Sequence, residues 1–254
     1  ASCVEILEAN PQAQSGLALI DPDGEGGEAP FTVYCDMTSE GGPYTLPKWA
    51  MSAPGLVHLY DFLHAPNHDF KDNQDLGIGL VRYGEHGLNL NGIGDQGDNV
   101  GYSEGDTIIM TLRRGFAPSG ERQGMVFSTT SIQNDDGITI QSNRIGTRTH
   151  SSDFDLKGSS LTALMPNQDT PESFAMRIEA QGVSFHHGES WSQVSNQGGF
   201  YDSCAIDRFF LGSNNQSFDP WDDGALHIQS LAIFSEALDE ATISAYIADL
   251  ERLF

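Results

Sequence analysis

The sequence predicts a mainly β protein: an antiparallel two-sheet jelly-roll sandwich, headed by a small disulfide-closed α+β piece and ended by a short helix. Three observations predict it. From about residue 51 onward, short runs rich in β-branched and aromatic residues recur between Gly, Asn and Asp, with no helical pattern between them. Several of these runs alternate apolar and polar residues, as a sheet with one covered face requires. Only the last stretch, after Ser235, spaces Leu238, Ile243, Tyr246, Ile247 and Leu250 as one helical face.

The elements follow in order. Cys3 to Ala9 reads as a short helix with Ser2 as its cap and Glu5 in the first turn; SGLALI (15–20) is a strand, DPDGEGG a turn, and Pro30 to Cys35 a second strand. Cys3 and Cys35 bracket this opening and suit one disulfide, whose loop closure is worth about 3 kcal/mol. The third cysteine, Cys204, is left over, either as a buried thiol or as an intermolecular or reactive sulfur. The sandwich strands are expected at 56–62, 87–91, 107–113, 124–130, 137–142, 173–180, 182–187, 207–212 and 225–234, and a long irregular segment at 143–170.

Two family resemblances are carried by these residues. C-x-E-I-L, S-G-L-x-L-I-D-P-D-G and P-F-T-V-Y-C-D-M-T-S-E-G-G, over residues 2–46, resemble the amino-terminal subdomain of fibrinogen-like domains, although Pro43-Tyr44-Thr45 departs from the usual Trp-Thr ending. The calcium loop and ligand pocket of those domains have no counterpart here. Leu56-Val57-His58-Leu59-Tyr60-Asp61-Phe62, Lys71-Asp72-Asn73, Gly87 to Gly92 and the closing LHIQSLAIF and SEALDE resemble concanavalin-A-like, laminin-G-like sandwiches in the family's order. The expected division is therefore 1–46 and 51–254.

Composition narrows the function. With 36 acidic residues against 12 basic ones the formal charge is −24, a field that repels nucleic acid and anionic membrane surfaces. No window reaches the ~18 apolar residues of a membrane span. The opening Ala1-Ser2-Cys3 is expected to follow a removed secretory signal, and the protein to be secreted or at the cell surface.

Candidate chemistry lies in the loops. Asp21, Asp23 and Glu25 match the start of a calcium loop, but the twelfth position is Thr32, and a plain turn is favoured. Acidic clusters holding Asp95 and Asp98, Asp135, and Asp219, Asp222 and Asp223 lie between strands, and laminin-G-like sandwiches often hold Ca2+ at the loop rim, so these six are the candidate metal ligands if two or three clusters converge; the alternative for each cluster alone is a solvated turn. Trp191, Tyr201 and Trp221 stand in polar, Gly-rich surroundings that suit stacking on a sugar ring, or else packing at the sandwich edge. His186 and His187 adjoin in a strand and point to opposite faces, so they do not share a metal.

Glu179 lacks acidic partners at Gln181 and Val183, and no nucleophile elbow or phosphate loop occurs, so no catalysis is expected. The sequence thus points to a non-catalytic protein that recognises carbohydrate or an extracellular surface with calcium; the alternative is a homo-oligomeric subunit of a filament, sheath or adhesive layer.

Overall fold

A computed structural model describes residues 2–27, 29–65, 68–71, 82–89, 95–98, 105–114, 123–129, 137–141, 144–148, 170–179, 182–187, 190–195, 208–211 and 226–253. The architecture is the expected one: mainly β, every described strand pair antiparallel, with a helix near each end.

The amino-terminal unit is a helix, α1 (Cys3–Ala9), on a three-stranded sheet of β1 (Gly16–Ile20), β2 (Phe31–Asp36) and β3 (Tyr44–Pro47). Ser2 caps α1 in a reciprocal capping box: its hydroxyl accepts from the Glu5 amide at 3.2 Å, and the Glu5 carboxylate accepts from the Ser2 amide at 2.7 Å. Cys3 and Cys35 are bonded, with Cα atoms 5.5 Å apart, and stand in a small core with Ile20 and Val33. The DPDGEGG stretch is a turn. The Asp21 carboxylate accepts from the Gly24 amide at 2.9 Å, and Gly24 and Gly26 take φ of +77° and +97°, where side chains are disfavoured. After β2, Asp36 pins the next turn by accepting from the Thr38 and Ser39 amides and from the hydroxyls of Ser15, Thr38 and Ser39. Burial pushes its carboxyl up, and those hydrogen bonds outweigh burial and hold it below the usual range.

The larger part carries two sheets. One has five strands, in the order β11 (Arg144–Arg148), β10 (Gly137–Gln141), β9 (Gln123–Thr129), β15 (Arg208–Leu211) and β7 (Asp95–Asp98). The other has eight: β14 (Ser190–Ser195), β13 (Gly182–His187), β12 (Glu172–Glu179), β8 (Thr107–Arg114), β16 (Leu226–Phe234), then β6 (Gly87–Asn89) and β5 (Arg82–Gly84), with β4 (Leu56–Asp61) also pairing β16. All nine strands expected from residue 51 onward are present. Five others, β3, β5, β7, β11 and β14, were not expected.

The eight-stranded sheet is buried on both faces at its centre: Thr107 through Leu112 are all inaccessible or nearly so. On one face Ile108, Met110, Phe174, Met176, Phe185, Leu231 and Ile233 form an apolar layer. The opposite face is covered by α2 (Glu240–Glu251), whose Ile243, Ile247 and Leu250 join Ile109, Ala175, Ala232 and Phe234. Tyr44 and Leu46 of β3 enter the same cluster, as does Trp49, which stacks on Tyr246 with centroids 4.6 Å apart. This cluster ties the opening unit to the sandwich. Asp239 starts α2 by accepting from the Thr242 amide at 2.7 Å, and Lys48 meets Asp249 at 3.1 Å. Among the described residues no helix is long and apolar enough to cross a membrane.

Candidate functional site

The face of the eight-stranded sheet that carries α2 changes character along its strands. Cross-strand partners share a face, as do alternate residues on one strand. The row Leu59, Ala232, Ile109, Ala175 is apolar and lies in the cluster with α2. Two residues along, the row Asp61, Ser230, Thr111, Ser173 is polar throughout, yet all four are buried. The Ser230 hydroxyl donates to Thr111 Oγ1 at 2.9 Å, and Thr111 and Ser173 are linked at 2.9 Å, so three strands are stitched by one hydroxyl chain. Asp61 closes the row: it accepts from the amides of Leu63 and His64 at 3.0 and 3.2 Å and meets His64 Nδ1 at 2.7 Å. That hydrogen bond raises the imidazole's pKa against the opposing effect of burial.

The next row is basic. A bulge at Gln229 shifts the register of β16, so that His227 lies opposite Arg113 on one side and Asn89 on the other, and Asn89 in turn lies opposite Arg82. By register, Arg82, Asn89, His227 and Arg113 thus form one line across four strands. The hairpin between β5 and β6 brings His86 over it: Arg113 Nη1 donates to His86 Nδ1 at 3.0 Å, and the His86 ring meets the His227 ring edge-on at 5.6 Å. Because guanidinium only donates, His86 Nδ1 accepts, and its proton is on Nε2, which faces Glu85 Oε1 at 3.2 Å. Gly87 lets this hairpin lie flat on β16. It has φ of +98°, and a Cβ there would run into the Ile228 carbonyl oxygen.

His227 is 9% exposed and its Nδ1 has no hydrogen-bond partner among the described residues; Gln229 Oε1, from the bulge, is likewise buried and unmatched. Burial, then the neighbouring His86 and Arg113, lower the His227 pKa to about 4, so the ring is uncharged at neutral pH. The arrangement therefore brings the Arg113 guanidinium together with two imidazoles: His86, partly exposed, and His227, whose Nδ1 is open among the described residues. Such a set can hold an oxygen-rich ligand by hydrogen bonds.

A second imidazole–carboxylate pair is structural in character. Asp69 is fully buried, accepts from the Leu59 and Lys71 amides at 3.0 Å each, and meets His58 Nδ1 at 2.6 Å, which fastens residues 68–71 to β4.

Of the residues singled out in the sequence, Trp191 lies on β14 opposite His186, itself buried and 3.4 Å from the Ser244 hydroxyl of α2. Asp95 and Asp98 begin and end β7, opposite Leu211 and Arg208. Tyr201, Cys204, Trp221, Asp135, Asp219, Asp222 and Asp223 lie outside the described residues. Among the described residues no group of three or more His, Cys, Asp or Glu is arranged to hold a metal. The two polar rows were not singled out, although their signal was present: polar residues at alternate positions of otherwise apolar strands, in TIIMTLRR and LHIQSLAIF.

No protein-family model matches the chain, and no curated protein matches it. Solved structures do match. Domain 4 of AbnA, a GH43 extracellular arabinanase from Geobacillus stearothermophilus in complex with arabinotriose, aligns with 76% of this chain and 98% of that domain, at 14% identity and a TM-score of 0.55. Trypanosoma rangeli sialidase in complex with sialic acid aligns with 76% of this chain at 13% identity and a TM-score of 0.55. A mutant of HCR/D covers 77% of this chain and 52% of its own, at 13% identity and a TM-score of 0.56. The chain spans about a third of the length of the sialidase chains it matches. These likenesses support the β-sandwich fold; the fibrinogen-like resemblance of residues 2–46 has no family match behind it.

One expectation is corrected. The absence of paired strand carboxylates led to the expectation that the chain takes no part in catalysis, and the likeness to sialidases and to a domain of an arabinanase overturns it. The motif sought belongs to one way of arming a sandwich, and a fold shared with enzymes of other kinds is not bound to that motif.

Proposed function

We propose that this chain is a carbohydrate-recognising β-sandwich of a secreted or cell-surface protein. The observation that carries the reading is the match over nearly the whole of domain 4 of AbnA, a domain of similar fold solved with arabinotriose. The disulfide supports an oxidising compartment. Sugar rings are recognised by flat apolar platforms combined with directional polar groups. Trp191, Tyr201 and Trp221 are proposed as the platforms. The polar rows around Arg113 and His227 are proposed as the hydrogen-bonding part. Ca2+ is proposed to order the loops through Asp95, Asp98, Asp135, Asp219, Asp222 and Asp223, since this ion takes six to eight oxygens from acidic loops.

The test is a glycan array probed with the full chain, in Ca2+ and in EDTA, followed by calorimetry on the best hit. Replacing Trp191, Tyr201 or Trp221 by Ala is expected to weaken binding by about 2- to 10-fold each, the worth of one aromatic platform. A chain that binds no glycan, or a triple variant that binds as well as the parent, refutes the proposal. Unchanged binding and melting in EDTA remove calcium from it.

A further inference from the structure

We propose that the outer edge of β1 takes up an extended, basic segment of another protein as a fourth strand of the amino-terminal sheet. This goes beyond the carbohydrate reading and does not depend on it.

The edge is shaped for a strand and left uncovered. Among the described residues β1 pairs with β2 alone, in a register that runs unbroken from Gly16 to Ile20. An exposed edge is ordinarily blunted by a charge, a proline or a bulge. β1 has none of the three, and residues 9–20 carry no charge at all. Leu17 and Leu19 share one face of the sheet, as alternate residues do, and are 67% and 66% exposed. They lie opposite Tyr34 and Thr32, and Tyr34 lies opposite Leu46. The face therefore runs from Leu46 and Tyr34, which pack into the cluster shared with α2, out to two uncovered leucines at its rim.

Charge selects the occupant. Eight acidic residues and no Lys, Arg or His precede Lys48, so the unit that carries this edge is anionic throughout, in a chain of charge −24. Glu8 of α1 and Glu25, in the turn that follows β1, are both exposed. Such a field draws a cationic segment toward an uncharged strand that does not repel it. A second copy would bring the same sign of charge to the contact. It would also bury little, because five residues of strand fall far short of the ~800 Å² per partner of a standard interface. Strand addition does not need that area: its affinity comes from main-chain hydrogen bonds and its selectivity from side chains at alternate positions. The partner's apolar side chains then lie beside Leu17 and Leu19, and its basic residues past Ile20, toward the acidic turn.

The experiment is fluorescence anisotropy of the full chain with a labelled peptide of about eight residues in which Val and Thr alternate between terminal arginines. Two relatives are compared with it: one with terminal glutamates, and the basic peptide N-methylated at its central residues, which cannot donate to β1. The basic peptide is expected to bind at least about 10-fold more tightly than either, to weaken as salt is raised and to slow amide exchange in residues 15–20. Leu17→Asn with Leu19→Asn, neutral changes at exposed positions, is expected to weaken binding by about 10-fold with the melting temperature near that of the parent. Should that variant fail to fold, the N-methylated peptide on the parent chain carries the test. Equal binding of the N-methylated peptide, or unchanged binding by the folded double variant, means adhesion by charge alone and overturns the proposal. Equal binding of the glutamate peptide overturns the basic partner. No peptide binding, with sedimentation showing parent dimers that the double variant loses, gives the edge to a second copy and overturns it as well; so does a chain that binds no peptide and does not self-associate.

Discussion

The depressed pKa of His227 makes the fold acid-sensitive in a window that one substitution removes. In the unfolded chain the imidazole takes a proton near its ordinary 6.5; in the folded chain burial, His86 and Arg113 delay this to about 4. Between those values the unfolded state binds more protons, so stability falls as pH is lowered through the window and stops falling below it. Each pH unit inside the window is worth about 1.4 kcal/mol, so the loss at pH 4.5 relative to pH 7 comes to about 2.5 kcal/mol. For a chain of this length that is about 5–10 °C in melting temperature. His64 acts in the opposite sense: its pKa is raised, so its contribution is present at low pH and is lost as pH rises through the folded value, and its exposure keeps that contribution small. The assay is a melting series between pH 4.5 and 7 on the parent and on His227→Gln. The variant is expected to show a shallower fall, by about that margin. Parallel curves for the two proteins refute the placement of His227 in a desolvated, cationic neighbourhood.

Other perturbations read other parts of the fold. Reduction, or Cys3→Ser with Cys35→Ser, removes the loop constraint and is expected to cost about 3 kcal/mol, read as a drop of about 6–12 °C in a melt with and without reductant. Gly87→Ala forces a side chain into a positive-φ position against the Ile228 carbonyl and is expected to cost about 2–4 kcal/mol, measured by denaturant midpoint. Thr111→Val leaves the Ser230 and Ser173 hydroxyls buried without their common partner, at about 1–3 kcal/mol. Adding Ser173→Ala and Ser230→Ala to it is expected to recover part of that loss, which equilibrium unfolding of the single and triple variants checks.

The strands legible in the sequence and those that were not divide by position. β3, β5, β7, β11 and β14, which the residues did not announce, all stand at an edge of their described sheet. An edge strand has a neighbour on one side only and needs no apolar alternation, so YTLP, DQGD and SWSQVS carry no clear period. Interior strands such as TIIMTLRR and LHIQSLAIF are covered on both faces and read as apolar runs. The cap at Ser2, the Cys3–Cys35 bond and the apolar stripe of α2 were legible because each rests on residues near in sequence or on a pairing with few alternatives. The basic row was not. Arg82, Asn89, His227 and Arg113 come from three distant stretches, and only the register of four strands, with a bulge at Gln229, lines them up.

The place of β16 in its sheet has a consequence for how the chain is made. This strand is the last in sequence, yet it lies between β8 on one side and β4 and β6 on the other. Tyr60 must therefore wait for Leu231, and at a ribosomal pace of about 5–20 residues per second the delay is about 10–30 s. During that interval three strands have bare borders and uncovered greasy flanks. A nascent chain halted before residue 226 is expected to clump or to hold a chaperone, and release of the final segment to end both.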